Sequence, residues 1–437
     1  MRQLHLQHFR CYSDLYISLK PGINLLVGDN ASGKTSLIKA CQYVLSAFFA
    51  GFSDENTHWN SFDVDDFERI FVGNTQLPSQ AIQIQFDPTD LIKRLTPEYL
   101  HRASKVLSSQ ILERKSPKGS RSLRTGIKAY IAYALWLHKS FFSLKTQTQV
   151  KPLPLFAYYS VEDIHTKRRI SSQAFRGLKP KHSLGYLGCL DGDGFFRYWV
   201  MRLLILAERD QREELDFVRQ GMLRVVGATG CALFTEMEVF PTSKEILFTG
   251  IDGRKTSIAL LSEGQKRIVA IALDLAFRSY HLNHMLYHEH TYEAITGTVL
   301  IDEVDMHLHP SLQAKVLPAL HQAYPYIQFV ASSHAPMVMS GVESTDEHLV
   351  YKLSYDEQSA YHVDEVCTYG LDLSSLVEQL WGLMPRAEHV EAELKELFRL
   401  IRDKKPEEAH EMLRTLQGKY PDIPDLTRAE VMLRFLR

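Results

Sequence analysis

The run Gly28-Asp29-Asn30-Ala31-Ser32-Gly33-Lys34-Thr35 puts two glycines, a lysine and a hydroxyl at every fixed position of G-x-x-x-x-G-K-[ST]. Residues of these types at this spacing suit the cradling of a chain of phosphates. Gly28 and Gly33 let the backbone curl close to an anion, so that N–H groups from Asp29 through Ser36 face phosphate oxygens. Lys34 supplies a point charge to the β/γ-phosphates, and the Thr35 hydroxyl is a ligand for Mg²⁺. The chain is therefore expected to bind a nucleoside triphosphate.

Three further groups fit the same chemistry. Asp302 and Glu303 follow the apolar run Thr298-Val299-Leu300-Ile301, so both carboxylates fall at the C-terminal edge of a buried strand, where ligands of open α/β sheets bind. The first suits Mg²⁺ and the second a water. Leu261-Ser262-Glu263-Gly264-Gln265 opens an apolar helix from Ile268 to Phe277, whose N-terminus is another anion site. His334 ends the strand-like run Phe329-Val330-Ala331-Ser332-Ser333, from which it can hydrogen-bond a γ-phosphate or an attacking water.

Elements must bring these groups together. Ile23 to Val27 reads as a buried strand, and Leu37, Ile38, Cys41, Leu45 and Phe48 then recur at helical spacing. Strand-like stretches at Leu4–Phe9, Leu15–Leu19, Ala81–Phe86, Leu155–Tyr159, Glu245–Thr249, Val299–Ile301 and Ile327–Ala331 are expected to join Ile23–Val27 in one mixed sheet flanked by helices. The fold class is thus α/β, with the ATPase head split into residues 1–94 and 229–369. A mainly helical insertion is expected over 95–228, with one head strand near 154–160, and a helical module over 370–437. In that module Val390, Leu394, Leu397, Phe398 and Ile401 share one face, Ala409, Met412, Leu413 and Leu416 another, and Gly418 is placed to end a helix begun at Pro406. No heptad pattern is sustained long enough for a coiled-coil arm.

The order of phosphate loop, signature serine, acidic pair, aspartate loop and histidine resembles the ABC-type ATPases. The run Ile301-Asp302-Glu303-Val304-Asp305-Met306-His307-Leu308-His309-Pro310, then Gln313 and Ser332-Ser333-His334-Ala335-Pro336, is similar to the soluble branch of RecF, SMC-type heads and overcoming-lysogenization-defect ATPases. The opening Leu4-His5-Leu6-Gln7-His8-Phe9-Arg10 is also similar to that branch. Weaker stretches at 185–226 and after Tyr369 resemble defence ATPases such as the PtuA subunit of Septu systems.

The resemblance implies ATP and Mg²⁺ as cofactors, with Gly28 to Ser36, Arg10 and Gly264 contacting nucleotide and Thr35 and Asp302 holding Mg²⁺. Glu303, His334, Lys34 and Ser262 are the implied catalytic groups, Ser262 and Gly264 capping ATP held by a second subunit. Three departures stand out. Glu263 replaces the glycine usual in transporters, the loop from His281 to Gly297 lengthens the gap to the acidic pair, and neither Gln83 nor Gln85 can be assigned as the glutamine that contacts Mg²⁺.

Composition narrows the setting. A net charge of −2 gives no global field for nucleic acid, so such binding would be local. The candidates are the basic loop from Arg114 through Arg124 to Lys128, and a second basic region at Lys167–Arg169 and Lys179–His182, each of which reads more readily as a solvated surface. Cys11, Cys41, Cys189, Cys231 and Cys367 lack C-x-x-C spacing and read as reduced thiols. With no secretory run and no apolar segment of spanning length, a cytoplasmic location and no membrane contact are expected. His307 and His309 read as a turn into the next helix rather than as metal ligands, and Asp191-Gly192-Asp193-Gly194 as a plain turn.

Three function classes fit. One is an anti-phage defence ATPase, a homodimer or larger homo-oligomer that holds or licenses a separate nuclease-like effector. The others are a RecF-like repair ATPase that binds DNA directly, and a scaffold that turns ATP over slowly. The C-terminal module is too short for the Toprim nuclease that follows the ATPase in overcoming-lysogenization-defect relatives, so a nuclease in cis is not expected.

Overall fold

The computed structural model describes all residues except 55, 73–74, 79–80, 119–121, 143–150, 162–181, 193–195, 357–359, 383–385 and 436–437. It divides into two compact units, Met1–Gly370 and Leu371–Arg437.

The first unit is built on a six-stranded sheet in the order Tyr361–Val366, Leu349–Tyr355, Ile23–Gly28, Ile327–Ser332, Gly297–Ile301 and Leu155–Tyr159. All neighbours run parallel except the Tyr361–Val366 edge strand. Ile23–Gly28, Ile327–Ser332 and Gly297–Ile301 are buried at every residue, as strands covered on both faces must be. Their register pairs Leu26 with Ser332 and Ala331 with Ile301. The phosphate loop, the acidic pair and the histidine turn therefore leave the sheet side by side at its C-terminal edge.

Each of the eight strand-like stretches forms a strand, but they divide among three sheets rather than one. Tyr12–Ser18, Gln3–Phe9, Ile82–Phe86 and Gln110–Arg114 make a four-stranded antiparallel sheet, and Lys255–Ser257, Glu245–Gly250 and Phe234–Phe240 a three-stranded one. The reason is visible in the burial patterns. Leu4 and Leu6 are buried between exposed or half-buried neighbours, so that strand hides only one face and suits an antiparallel sheet. Gln110–Arg114 also places a strand inside the segment read as mainly helical, where it pairs with Ile82–Phe86.

Helix Glu263–Tyr287 backs the central sheet and is pinned by a buried carboxylate. Asp274 accepts hydrogen bonds from Arg278 Nε at 2.6 Å, Tyr159 Oη at 2.7 Å and Trp199 Nε1 at 2.5 Å. Three elements therefore share one charge. Asp274→Ala is expected to destabilise the protein by about 3–5 kcal/mol, because it strands a buried guanidinium. Thermal or urea unfolding of the variant reads this directly, and a loss below ~1 kcal/mol would mean that the Gly185 and Leu187 carbonyls, to which Arg278 Nη1 already donates, suffice for the buried charge.

The second unit packs helices Glu388–Arg402, Pro406–Lys419 and Pro424–Phe435 around Leu394, Leu397, Leu400, Ile401, Leu413 and Leu416. The middle helix runs through Gly418 to Lys419, with Tyr420 N–H donating to the Leu416 carbonyl, so the glycine does not end it.

Candidate functional site

The phosphate loop bridges strand Ile23–Gly28 and helix Lys34–Ser46. Its path needs left-handed backbone at Ala31 (φ 65°) and Gly33 (φ 94°), and φ 146° at Gly28. A Cβ at Gly28 would lie 2.2 Å from the Leu353 carbonyl oxygen, and one at Gly33 2.3 Å from the Tyr12 hydroxyl. Both positions thus require glycine for space as well as for angle. No side chain caps the helix at Gly33, which leaves its N-terminal N–H groups available to an anion.

Lys34 is buried and donates from Nζ to the carbonyls of Gly28 at 2.9 Å and Asp29 at 2.7 Å, and to Ser32 Oγ at 3.2 Å. Burial pushes its amine below the usual lysine range, against the opposing pull of Asp29, Asp302, Glu303 and Asp305. The ammonium thus sits within the field of the acidic cluster, where the phosphates would also lie.

Asp302 is 4% exposed, and its Oδ1 lies 3.4 Å from the Thr35 hydroxyl. Two hard oxygens at this spacing fit adjacent positions around Mg²⁺, whose ligands at 2.0–2.1 Å stand roughly 3 Å apart. Asp302 N–H donates to the Tyr159 carbonyl at 2.8 Å, and Arg267 Nη2 donates to the Asp302 carbonyl at 2.8 Å. Glu303 has a left-handed backbone, φ 49°, that turns the chain out of the strand. Its N–H donates to Ser332 Oγ at 2.8 Å, and Ser332 Oγ donates to Asp302 Oδ1 at 2.5 Å. His334 stands two residues beyond Ser332 on the same edge, half-buried.

Ser262 is the N-cap of helix Glu263–Tyr287, in a capping box with Gln265. Gln265 N–H donates to Ser262 Oγ at 3.3 Å and Ser262 N–H to Gln265 Oε1 at 3.1 Å. Ser262 and Glu263 are exposed, whereas Gly264 is buried. A Cβ on Gly264 would stand 2.3 Å from the His307 carbonyl oxygen, so that glycine lets the helix start lie against the loop after the acidic pair. Among the described residues no hydrogen bond joins Ser262 to the phosphate loop of its own chain.

Arg10 donates from Nε to Asp66 Oδ1 at 2.8 Å, and the Tyr43 hydroxyl donates to the other oxygen of this buried carboxylate. Gln83 and Gln85 lie on the four-stranded sheet and donate to Glu113 at 3.4 Å and Ser109 at 2.9 Å. His309 caps helix Pro310–Ala323 by accepting from Ser311 N–H, with Pro310 in the first turn. Among the described residues the metal-sized histidine and acid group is His321, Glu347 and His348, of which His307 and His309 are not members. His348 precedes strand Leu349–Tyr355, and its Nδ1 already accepts the Ile23 N–H at 3.0 Å.

In the basic loop, Arg114 donates to the Phe62 carbonyl and stacks over Phe67, and Arg124 lies over Trp59. These two cations are engaged in packing. Lys167–Arg169 and Lys179–Lys181 lie outside the described residues, as do Asp193 and Gly194. Cys11, Cys41, Cys189, Cys231 and Cys367 are all unpaired. No helix among the described residues is long and apolar enough to cross a membrane.

Sequence reasoning passed over Ser332 and Arg267. Ser332 lies within a quoted motif, but its task depends on strand register, which no local pattern reveals.

The Retron Vc95 probable ATPase of Vibrio cholerae serotype O1 biovar El Tor is 23% identical over 404 residues, covering 81% of this chain and 74% of that protein. The Septu protein PtuA of Bacillus mycoides (strain KBAB4) is 27% identical over 178 residues, 40% of this chain and 24% of PtuA. A solved SMC head bound to the C-winged helix domain of ScpA aligns with 84% of this chain and 98% of its own, at 15% identity and a TM-score of 0.48. The family model described as "AAA domain, putative AbiEii toxin, Type IV TA system" matches residues 23–340, from the phosphate-loop strand past the histidine turn. The chain belongs to that family and is a P-loop ATPase.

Proposed function

We propose that this ATPase is a nucleotide switch of an anti-phage defence system, in which two copies sandwich ATP and the assembly holds or licenses a separate nuclease-like effector. The observation that carries this reading is the convergence of Lys34, Thr35, Asp302 and Glu303 at one sheet edge, while Ser262 is exposed to solvent and its hydroxyl, among the described residues, hydrogen-bonds only Gln265 of its own helix. The names of the Retron Vc95 and Septu relatives support the defence setting.

Thr35 and Asp302 would hold Mg²⁺, which supplies charge neutralisation at the β/γ-phosphates. Lys34 exchanges its loop carbonyls for phosphate oxygens, a swap favoured by the low cost of moving one flexible side chain. Glu303 accepts the proton of the attacking water, and His334 steadies the γ-phosphate from the neighbouring strand end. Ser262 and the first N–H groups of its helix cap the γ-phosphate bound by the partner, where the helix N-terminus favours an anion. Leu260, 78% exposed beside Ser262, gives the same face an apolar contact to bury on closure. ATP then stabilises the closed pair, and hydrolysis releases it.

Mixing subunits tests this arrangement. Lys34→Ala has no working phosphate loop and Ser262→Arg no working cap, so each alone is inactive. A mixture with verified subunit exchange restores part of the ATPase activity, because one composite site per heterodimer is intact. A nucleotide-bound structure with Ser262 beside its own chain's γ-phosphate would overturn the sandwich. In the same assay, strong stimulation of the wild type by duplex DNA would favour a direct DNA clamp over an effector-holding switch.

A further inference from the structure

We propose that Ser332 is a positioning residue of the hydrolytic site, whose single hydroxyl sets the Asp302 carboxylate and the Glu303 backbone together. The inference rests on the reading above, that Asp302 and Thr35 take Mg²⁺ and Glu303 acts on water.

Ser332 is the last residue of strand Ile327–Ser332 and is fully buried. That strand lies between the phosphate-loop strand and the acidic strand, and register places Ser332 opposite Leu26 and one step beyond the Ala331–Ile301 pair. From there its Oγ accepts the Glu303 N–H at 2.8 Å and donates to Asp302 Oδ1 at 2.5 Å. The direction of the relay is forced. A backbone N–H cannot accept, so a lone pair of Oγ faces Glu303 and the one hydroxyl proton is left to point at the Asp302 oxygen. The 2.5 Å separation is that of a charge-assisted bond to a carboxylate.

Two consequences follow for the acidic pair. The Asp302 oxygen gripped by Ser332 is the same Oδ1 that lies 3.4 Å from the Thr35 hydroxyl, so Ser332 holds the rotamer that completes the metal-sized gap. Glu303 adopts a left-handed backbone, φ 49°, that L-residues rarely hold without outside support. Ser332 gives that support twice, since its carbonyl also accepts the Val304 N–H at 2.9 Å. The kink that turns Glu303 out of the strand is thus bracketed by bonds to one residue of the neighbouring strand. Only the side-chain bond can be removed by substitution, which separates positioning of the carboxylates from pairing of the backbone.

The test uses full-length Ser332→Ala, Ser332→Thr and Asp302→Asn. For each, turnover is titrated with Mg²⁺ at saturating ATP, and ATP affinity is measured in EDTA. Removing a group that orients a metal ligand costs about 10–100-fold in metal affinity or activity. Ser332→Ala should therefore need about tenfold more Mg²⁺ for half-maximal turnover and lose at least tenfold in kcat, while binding ATP normally in EDTA. Ser332→Thr, which keeps the hydroxyl and suits a strand, should recover both. If Ser332→Ala does not fold, Ser332→Cys keeps the volume with only a weak donor and is read in the same way. An unchanged Mg²⁺ requirement in the folded variant overturns the proposal, whatever happens to kcat, because a merely structural serine would lower activity without moving the metal titration. If Asp302→Asn also leaves the Mg²⁺ requirement unchanged, the metal reading itself has failed, and the Ser332 proposal falls with it.

Discussion

Glu303→Gln is expected to slow ATP turnover by roughly 10²–10⁴ while ATP and Mg²⁺ still bind, that being the usual worth of a positioned general base. The amide keeps the size of the carboxylate and loses the proton acceptor. Its backbone should stay in place, because the left-handed turn at 303 is held through its N–H by Ser332 and not through its side chain. Binding and chemistry therefore separate cleanly, and single-turnover hydrolysis with labelled ATP, beside an equilibrium titration, reads each in turn. Asp302→Asn is the contrasting variant, since it removes a charged metal ligand and should raise the Mg²⁺ needed for half-maximal turnover as well as lower the rate. Unchanged turnover in both variants would mean that this chain hydrolyses ATP without its acidic pair.

The parts of the site that were legible in the sequence share one property, namely that their meaning is local. GDNASGKT needs only its own spacing between an apolar strand and an apolar helix, and Asp302-Glu303 only a β-branched run before it. Ser262 with Gln265 spells a capping box within four residues, and the helix begins there. What was hidden depends on register and close approach between distant segments. Gly264 is needed because His307 passes over it, and Arg267 matters because it reaches the Asp302 carbonyl. Strand Leu349–Tyr355 went unread because Lys352 and Ser354 interrupt its apolar run, although Val350, Tyr351 and Leu353 are buried in the central sheet. The division into three sheets follows a distinction the sequence does carry, alternation against continuous burial, which a search for strands alone does not use. Arg10 is placed at the nucleotide by the resemblance alone, and the ion pair with Asp66 gives its guanidinium a partner inside the chain.

Lys34→Ala is expected to raise the ATP Kd at least a hundredfold, effectively abolishing binding, since a hydrogen bond to a charged group contributes about 1.5–3 kcal/mol and the ammonium can make more than one to the phosphates. The loss should be confined to ligand binding. Lys34 donates only to Gly28, Asp29 and Ser32 within its own loop, and it makes no ion pair among the described residues. The strand and helix on either side are held by buried apolar side chains such as Leu25, Leu26, Leu37 and Ile38, which the substitution leaves alone. The melting temperature should therefore move by only a few degrees, on the scale of ~1 kcal/mol. The acidic neighbours sharpen the expectation. With the ammonium gone, Asp29, Asp302, Glu303 and Asp305 face an incoming triphosphate without the cation that offsets them, so repulsion adds to the missing contacts. The penalty should consequently shrink as salt or Mg²⁺ is raised, a dependence that loss of packing would not produce. Calorimetric titration across ionic strength measures both quantities, and wild-type affinity in a folded Lys34→Ala protein would overturn the assignment of this loop to phosphate.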